Sequence, residues 1–397
     1  MKLRRSVLQS VRGSSTIGRL LRTMPGKSSR FGPPRHGTTT ADYARAHGLK
    51  CVEVIPPRTV SRTAALGFGS PHPLVPSWCP APQPAVQIAT LPGGRLLWPD
   101  CSVVTADDTL LTDTSFWALC DQGGLHRHPL GTRWLAPRQQ RLRGRVLSLA
   151  SDHANSSFGH FLLDALPRLA YAQKAGCRLE DFDFIVLPHP ESQTANRLLA
   201  AARLTPPQLL RPRAREDFVC DELVSITFPG APGFYPPELP AFYRQLLALP
   251  PAGGHRRIYL SRQSQTRRRI ANASEAEAVF ARHGFETVYP ESDPDVVRKC
   301  AEADFIVGVE GSNFTNQVFA PAGGAVLVLL AENWADLPYV YSVATAAGKR
   351  VYALTCRAHV DPSDRRSHWT NPYDLIVDCG ELETAINAML GSVSAAN

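Results

Sequence analysis

The sequence lacks the features that would place the protein in a membrane or in an oxidising compartment. No apolar run approaches the roughly 18–20 residues that a transmembrane helix needs, and the basic N-terminus has no apolar segment typical of a signal peptide. We therefore expect a cytoplasmic protein. None of its nine cysteines forms a CxxC pair, and their number is odd, which indicates reduced thiols and argues against a zinc site or a disulfide framework.

Familiar signatures of phosphate and metal binding are also missing. The glycine-containing stretch at 307–324 is neither a Walker loop nor a GxGxxG fingerprint. No DxD-type triplet of carboxylates lies at a suitable strand end, because DFD at 181–183 precedes its predicted strand. A phosphate-bearing ligand would then be held by cationic side chains and helix N-termini. We expect neither a metal ion nor a cofactor.

The net charge of +8 is concentrated at one end of the chain. Residues 1–50 contain 11 Lys and Arg and one acid, Asp42, whereas the rest of the chain has 32 basic and 34 acidic residues. A nucleic-acid-binding protein would carry basic clusters on its body. The near-neutral body therefore argues against that class, which the pI of about 9.1 alone would suggest.

The basic tail, residues 1–45, is rich in Arg, Ser, Gly and Pro and poor in aromatic residues, a composition typical of disorder. One short amphipathic helix is predicted within it, with an apolar side formed by Leu3, Val7, Leu8 and Val11. Such a tail would contact acidic lipid and hold the protein peripherally at the inner membrane.

The rest of the chain predicts two α/β domains, at 46–250 and 251–397. Short apolar runs in 50–150 indicate strands and hairpins, and a helix is predicted at 158–174. The second domain alternates strands and helices, as in a parallel sheet covered on both faces. Its predicted strands are 256–262, 285–290, 304–311, 325–330 and 350–354, and its predicted helices are 274–284, 293–303, 312–321 and 337–347. We expect the ligand cleft between the two domains.

The stretch FGHFLLDALPRL, residues 158–169, places three polar residues on one stripe of an apolar helix. His160, Asp164 and Arg168 are spaced four apart. A solvated stripe with i,i+4 pairing would explain this spacing. Against it, apolar residues fill nearly all the remaining circumference, and Pro167 interrupts the hydrogen-bond ladder at a cost of about 3 kcal/mol. Since a His–Asp pair is suited to proton abstraction, we predict that the stripe is catalytic.

Two loops of the second domain are candidates for anion binding. One carries the arginines Arg262, Arg267, Arg268 and Arg269, which could contact phosphate through paired N–H groups. The other is the turn at Gly311, where Ser312 would cap a helix whose N-terminus attracts anions. Taken alone, the arginine loop is better explained as a solvated basic loop, and the turn as an ordinary helix cap. Two such loops after strands of one domain favour a phosphate-bearing ligand.

Three motifs in this order resemble glycosyltransferase family 61: GHFLLDALPRL, SRxxxxRRRIxN and GVEGSNFTNQVFAPAGG. The resemblance covers about 155–335 and is closest to the bacterial branch often labelled capsular polysaccharide biosynthesis proteins. It implies two Rossmann-like domains facing a cleft, the GT-B architecture. It also implies inverting transfer of a sugar from a nucleotide sugar, with a UDP-sugar as first choice, to a glycan or lipid-linked acceptor.

The motifs contain the residues that we predict to bind the donor. They are Arg262, Arg267, Arg268, Asn272, Glu310, Gly311, Ser312, Asn313 and Asn316. Two positions depart from the family pattern. Many members have His where this chain has Glu310, and many have Glu directly after the motif asparagine, where this chain has Ala273.

The predicted reaction needs a base for the acceptor hydroxyl. His160 or Asp164 would be that base and the other would orient it, while Arg168 holds the helix or an acceptor group. The alternative function is a non-catalytic nucleotide- or glycan-binding partner in polysaccharide assembly. The departures at Glu310 and Ala273 fit that alternative.

Overall fold

The computed structural model describes residues 34, 36–69, 81–120, 128–132, 138–250, 256–332, 338–359 and 373–394. Over these residues the protein is a mixed α/β structure with sheets of ten, seven and two strands. The predicted amphipathic helix in the tail lies outside the described residues.

The strands, in chain order, are β1 His36–Thr38, β2 Cys51–Ile55, β3 Arg58–Val60, β4 Leu66–Phe68, β5 Ala81–Gln83, β6 Val86–Pro92, β7 Arg95–Leu97, β8 Ser102–Val104, β9 Thr109–Leu111, β10 Arg138–Ser148, β11 Phe184–Val186, β12 Leu209–Leu210, β13 Glu216–Ile226, β14 Arg256–Leu260, β15 Glu286–Val288, β16 Ala303–Val309, β17 Ala325–Ala331, β18 Arg350–His359 and β19 Asp374–Ile376. The α-helices are α1 Thr40–His47, α2 Phe116–Cys120, α3 Phe158–His160, α4 Arg168–Lys174, α5 Gln193–Ala201, α6 Leu239–Leu246, α7 Ala273–Arg282, α8 Val296–Ala301, α9 Pro338–Ala346 and α10 Cys379–Ser394.

The chain divides into two compact units. The first unit comprises 1–57, 84–190 and 203–232, and the second comprises 58–83, 191–202 and 233–397. This differs from the predicted division at 250. The second unit takes in three segments of the predicted first domain, because segments distant in sequence pair with its strands, as β4 does with β18.

The ten-stranded sheet belongs to the first unit. β10 and β13, its two longest strands, pair in parallel and are extended by β11 and β12, also parallel. β6 and β7 add to β13 in the antiparallel direction. The core under these strands includes Leu142, Val146, Phe218 and Leu223, which are almost completely buried. β10 therefore ends at Ser148 on a rigid sheet and delivers the next residues to the candidate site.

The seven-stranded sheet belongs to the second unit. β14 to β18 are all parallel in the order β15-β14-β16-β17-β18, with β4 beside β18 and β19 antiparallel at the edge. Aligned β-branched residues such as Ile258, Ile306 and Val326 lie side by side across it. The chain reverses its direction across the sheet between β15 and β16, so the loops after β14 and β16 flank the point where open α/β sheets bind ligands.

Helical segments cover both faces of this sheet. α7 and α10 pack on the face that carries Tyr259 and Val307. The opposite face at Gly308 is occupied by Phe314, whose ring lies 2.5 Å from where a Cβ would stand. Phe314 belongs to the 3-10 helix Ser312–Phe319, against which α6, α8 and α9 pack. The predicted alternation of strands and covering helices is thus observed in this unit.

Lys349 joins the amino ends of three neighbouring strands. Its ammonium group is buried and donates to the carbonyl oxygens of Gly323 at 2.7 Å and of Ala303 and Asp304 at 3.3 Å. Burial lowers the pKa of this ammonium group to about 8. At the same place Gly324 has a φ of 69°, and a Cβ there would lie 2.1 Å from the Asp304 carbonyl oxygen, so only glycine fits.

Three predictions of local structure are corrected. The tail predicted as 1–45 includes folded residues, because β1 pairs with β9 and the backbone N–H of Thr40 in α1 donates to the Asp113 side chain. The predicted helix 158–174 is interrupted, and the predicted helix 312–321 is a 3-10 helix. Among the described residues, no helix is both long and apolar enough to span a membrane.

Candidate active site

The interrupted helix after β10 carries the predicted catalytic stripe. The side chain of Ser157 caps α3 by accepting from the backbone N–H of His160. Residues Phe161–Ala165 then form a π-helical turn, in which Leu166 N–H bonds to the Phe161 carbonyl at 3.0 Å. Such turns are rare and frequently lie at functional sites. Pro167, which has no N–H to donate, separates this turn from α4.

His160 and Asp164 form a close pair across the π turn. The Nδ1 of His160 lies 2.5 Å from the Oδ2 of Asp164. The Asp164 side chain is completely buried, while 26% of the His160 side chain is exposed. Only His160 can therefore meet a ligand. Because Nδ1 faces the carboxylate, the neutral ring carries its proton there and presents the lone pair of Nε2.

The environment of His160 favours its protonated form. Burial of the ring alone would lower the pKa of this imidazole, but the charge and the hydrogen bond of Asp164 outweigh that effect and raise the pKa above its ordinary value of 6.5. A proton taken up by Nε2 is therefore stabilised by the carboxylate. The pair has the chemistry of a general base with an orienting partner.

Arg168 fastens this helix to its surroundings. The buried guanidinium donates to the carbonyl oxygens of Asp164 at 3.0 Å, Ile226 at 3.0 Å and Thr114 at 3.1 Å. Its Cζ also lies 5.8 Å from the centre of the Phe228 ring. Of its two predicted roles, holding the helix fits this geometry, because the group is buried and engaged with the backbone.

Three residues beside His160 were missed by sequence reasoning. The His153 ring lies 5.3 Å from the His160 ring, and the Trp117 ring lies 5.0 Å from that of His153. Phe116 packs edge-on against His160 at 5.2 Å between ring centres. The signals were present but weak: a polar run, SDHANSS, directly after β10, and an aromatic pair at the start of α2. Neither has a spacing that indicates chemistry.

In the second unit, Arg262, Arg268, Glu310 and Tyr339 form what we call the arginine cluster. Arg262 follows β14, and Glu310 follows β16, the neighbouring parallel strand. Glu310 pairs with Nη1 of Arg268 through one carboxylate oxygen and accepts from the Tyr339 hydroxyl at 2.6 Å through the other. Arg268 adopts a left-handed backbone, with φ of 57°, which residues other than glycine seldom do.

Some buried N–H groups of the arginine cluster have no hydrogen-bond partner among the described residues. Arg262 is 4% exposed, and its Nη1 donates to the Asn313 side chain at 3.2 Å. The Nε atoms of Arg262 and Arg268 are both buried and have no hydrogen-bond partner among the described residues. Burial lowers the pKa of Arg262, and the positive charge of Arg268 lowers it further. At Arg268 burial also acts to lower the pKa, but the charge of Glu310 outweighs it and the pKa is raised. Two guanidinium groups face one carboxylate, an arrangement that can accept an anion.

Gly311 allows this close packing. Its φ is 142°, and a Cβ there would lie 2.2 Å from Nη1 of Arg262. Its N–H donates to the Tyr339 hydroxyl at 2.9 Å. Tyr339 was not singled out in the sequence, because it comes from α9, beyond the next strand.

Both groups of side chains lie in a segment that matches a protein family. Residues 158–327 match the model of the family Glycosyltransferase 61. The match includes both the His160–Asp164 pair and most of the arginine cluster. Over this segment the chain is similar to the family, which supports glycosyltransferase activity. No curated protein that was searched matches the chain. The narrower bacterial capsular branch stays a prediction.

One predicted donor contact of the family motifs changes role. The amide of Asn272 accepts from the Val377 N–H and donates to the Val377 carbonyl, both at 2.9 Å, so this residue fastens β19. Arg269, in the same loop, pairs with Asp374. We therefore assign Asn272 to the fold and remove it from the donor site. Arg267 is exposed at the surface of the loop.

The expected helix N-terminus is also different. The helix after Gly311 is of the 3-10 type and begins at Ser312, so Ser312 is its first residue and not its cap. The Gly311 N–H already has a partner. Asn313 lies beside the arginine cluster and donates to the Ser261 carbonyl at 3.3 Å, and Asn316 donates to the Asn313 carbonyl at 2.8 Å. Anion binding here would therefore rest on the arginines.

Proposed function

We propose that the protein is an inverting glycosyltransferase that moves a sugar from a nucleotide-sugar donor, a UDP-sugar as first choice, to a glycan or lipid-linked acceptor. The proposal includes the GT-B architecture and a bacterial setting in cell-surface or capsular polysaccharide synthesis. The observation that carries it is the 2.5 Å contact between His160 and the buried Asp164 within the family match.

The proposed reaction uses Nε2 of His160 as the base. The acceptor hydroxyl gives its proton to Nε2 while its oxygen forms a bond to the sugar C1. The bond from C1 to the diphosphate oxygen breaks, and the nucleoside diphosphate leaves with that electron pair. Asp164 holds the ring and stabilises the imidazolium that forms, as the buried carboxylate of a catalytic His–Asp pair does. The partial exposure of His160 and the burial of Asp164 support His160 as the base.

The proposed donor site is the arginine cluster. The guanidinium group of Arg268, whose side chain is 23% exposed, would bind the diphosphate. The positive charge of the buried Arg262 would add to the stabilisation of the charge that develops there, a role that metal ions fill elsewhere. Within the described residues, no group of three His, Cys, Asp or Glu side chains could hold a metal ion. We propose a metal-independent transfer because guanidinium groups can stabilise the leaving diphosphate.

One observation favours the second candidate, a non-catalytic nucleotide- or glycan-binding partner. Glu310 already neutralises Arg268, at the place where the donor phosphate would compete for the same guanidinium. If the Glu310 carboxylate stays paired with Arg268, the protein would bind a nucleotide weakly and would not turn over a donor.

The test is direct. The purified full chain is incubated with UDP-, GDP-, CMP- and dTDP-linked sugars, with and without oligosaccharide acceptors, and free nucleotide and glycosylated product are followed by mass spectrometry. Transfer that disappears in His160→Ala supports the proposal. Nucleotide binding with no transfer or hydrolysis of any donor would instead favour the binding partner.

A further inference from the structure

Four partly exposed rings form a continuous row beside Asp164. They run in the order Phe116, His160, His153 and Trp117, with ring centres 5.2, 5.3 and 5.0 Å apart. We call them the ring row. Aromatic side chains that stay partly exposed, together with a few polar groups, are typical of ligand sites. The proposed base is one member of the row, and the other three have no part in the reaction as described so far.

The ring row is held rigidly. One carboxylate oxygen of Asp152 accepts from the Ser115 hydroxyl at 2.7 Å and from the backbone N–H of Trp117 at 2.9 Å. Ser115 is in turn 3.0 Å from Nε2 of the buried His128. These contacts fix the first turn of α2 against the loop after β10. When the backbone of a site is already fixed before the ligand arrives, binding loses less conformational entropy.

His153 adopts a left-handed backbone conformation, which is uncommon at residues other than glycine. Its φ is 64°, and its backbone N–H donates to the Asp100 side chain at 3.2 Å. The hydrogen bond to Asp100 helps to hold this conformation. The conformation brings the His153 ring next to that of His160.

The charges around the row restrict the ligand. Two carboxyl groups, those of Asp100 and Asp164, lie close to the rings and interact electrostatically with His153 and His160. They disfavour an anion. A neutral ligand with an apolar face and several hydroxyl groups meets both requirements: its C–H face packs on the aromatic rings, and its hydroxyls bond to the imidazoles. A pyranose ring has this chemistry.

We propose that Phe116, Trp117 and His153 form the subsite for the sugar ring that carries the acceptor hydroxyl. His153 is its positioning residue, which directs that hydroxyl towards Nε2 of His160. The immediate acceptor is then a carbohydrate and not a polypeptide side chain or the phosphate of a lipid carrier. The inference rests on the proposed function for the role of His160, but sugar binding at the row is measurable without any reaction.

The first experiment therefore measures binding alone. Saturation-transfer NMR is recorded on the full chain with methyl α- and β-pyranosides, maltose and cellobiose, in the absence of any nucleotide sugar. Transfer to ring protons of at least one sugar is expected, weakened about tenfold by Trp117→Ala. Phe242→Ala, which removes a partly exposed aromatic ring of α6, is the matched control and should leave it unchanged. No sugar signal, or equal signals in Trp117→Ala and wild type, would overturn the subsite.

The second experiment separates positioning from folding. Asn and Gly both tolerate the left-handed backbone at position 153, so His153→Asn and His153→Gly differ mainly in one hydrogen-bonding group. We expect His153→Gly to raise the acceptor KM at least about tenfold, His153→Asn to restore part of it, and donor hydrolysis to persist in both. Equal losses of transfer and hydrolysis in the two variants, with a lower Tm, would reduce His153 to a structural role.

The two proposals fail in different ways. If sugar binding depends on Trp117 but no nucleotide sugar is turned over, the subsite stands and the proposed reaction falls. If transfer depends on His160 while neither Trp117 nor His153 affects the acceptor KM, the reaction stands and the subsite falls.

Discussion

His160 and Asp164 meet at 2.5 Å across a π-helical turn, with the imidazole partly exposed and the carboxylate completely buried. The partly exposed imidazole can contact the acceptor, and the buried carboxylate can only orient the imidazole. We predict that His160→Ala and Asp164→Asn each lower kcat by about 10²–10⁴-fold, the usual contribution of acid–base catalysis. Nucleotide affinity should be unchanged, because the arginine cluster lies in the other unit. Near wild-type turnover in both variants would make the pair structural and leave Glu310 as the next candidate base.

The pH dependence should report the raised pKa of His160. Since the base must be neutral, kcat/KM should fall as the pH drops through that pKa, which lies above the ordinary 6.5. In Asp164→Asn the carboxylate charge is gone, so the pKa falls and the acid limb moves to lower pH while the plateau rate decreases. The measurement is the pH profile of both proteins. An acid limb at the same pH in both would show that another group titrates.

The arginine cluster predicts opposite effects for its two charges. Arg268→Ala should weaken nucleotide binding by about 1.5–3 kcal/mol, the range for a hydrogen bond to a charged group. Glu310→Gln should strengthen binding, because it removes the carboxylate that competes for Arg268. Titration calorimetry with UDP measures both. Arg269→Ala, which removes a charge that pairs with Asp374 in the same loop, is the control. Unchanged affinity in Arg268→Ala would move the contact to Arg262 or Arg267, or remove the loop from the site.

Chelation tests the metal-independent donor site. With arginines in place of a carboxylate-bound metal, transfer should continue at its full rate in EDTA. The rate is measured before and after EDTA treatment, and again after addition of Mn²⁺. Complete loss with EDTA and recovery with Mn²⁺ would reject this part of the proposal.

The basic tail gives a prediction about membranes. Deleting 1–33 should leave the fold intact and reduce binding to anionic vesicles, because most of the excess positive charge is removed. A longer deletion through residue 40 would also remove Thr40, whose N–H and hydroxyl bond to Asp113 at 2.8 and 2.6 Å, and should lower the Tm. Vesicle sedimentation and thermal unfolding measure the two effects. Equal vesicle binding with and without the tail would reject lipid contact.

The sequence predicted the second unit better than the first. Its parallel strands are continuous apolar runs, and Ala325–Ala331 is buried throughout. The first unit is a mixed sheet in which β6 and β7 pair with β13, more than a hundred residues away, and no local pattern encodes such pairing. The sequence also did not distinguish the 3-10 helix at Ser312–Phe319 from an α-helix. The two helix types, with hydrogen bonds to the third or the fourth preceding residue, have similar spacings of apolar residues over so short a segment.

The candidate site follows the same division. The His160–Asp164 pair was predictable because both residues lie on one helical turn. Arg262 and Glu310 were predictable as neighbours because each follows a strand of one parallel sheet. His153, Trp117 and Tyr339 were not, since their positions depend on a left-handed turn and on packing between distant segments. The reversal of roles at Asn272 likewise came from contacts with residues a hundred positions away.

Lys349, buried beneath the amino ends of three strands, couples the folding of this protein to the proton concentration of the solvent. Its pKa falls from an ordinary 10.5 to about 8 in the native state, so between these two values the unfolded chain holds a proton that the native chain has released. Folding in that window expels up to one proton from this residue, and the side chain adds stability as the pH rises from 8 towards 10.5. The enthalpy of unfolding measured there must depend on the ionisation heat of the buffer.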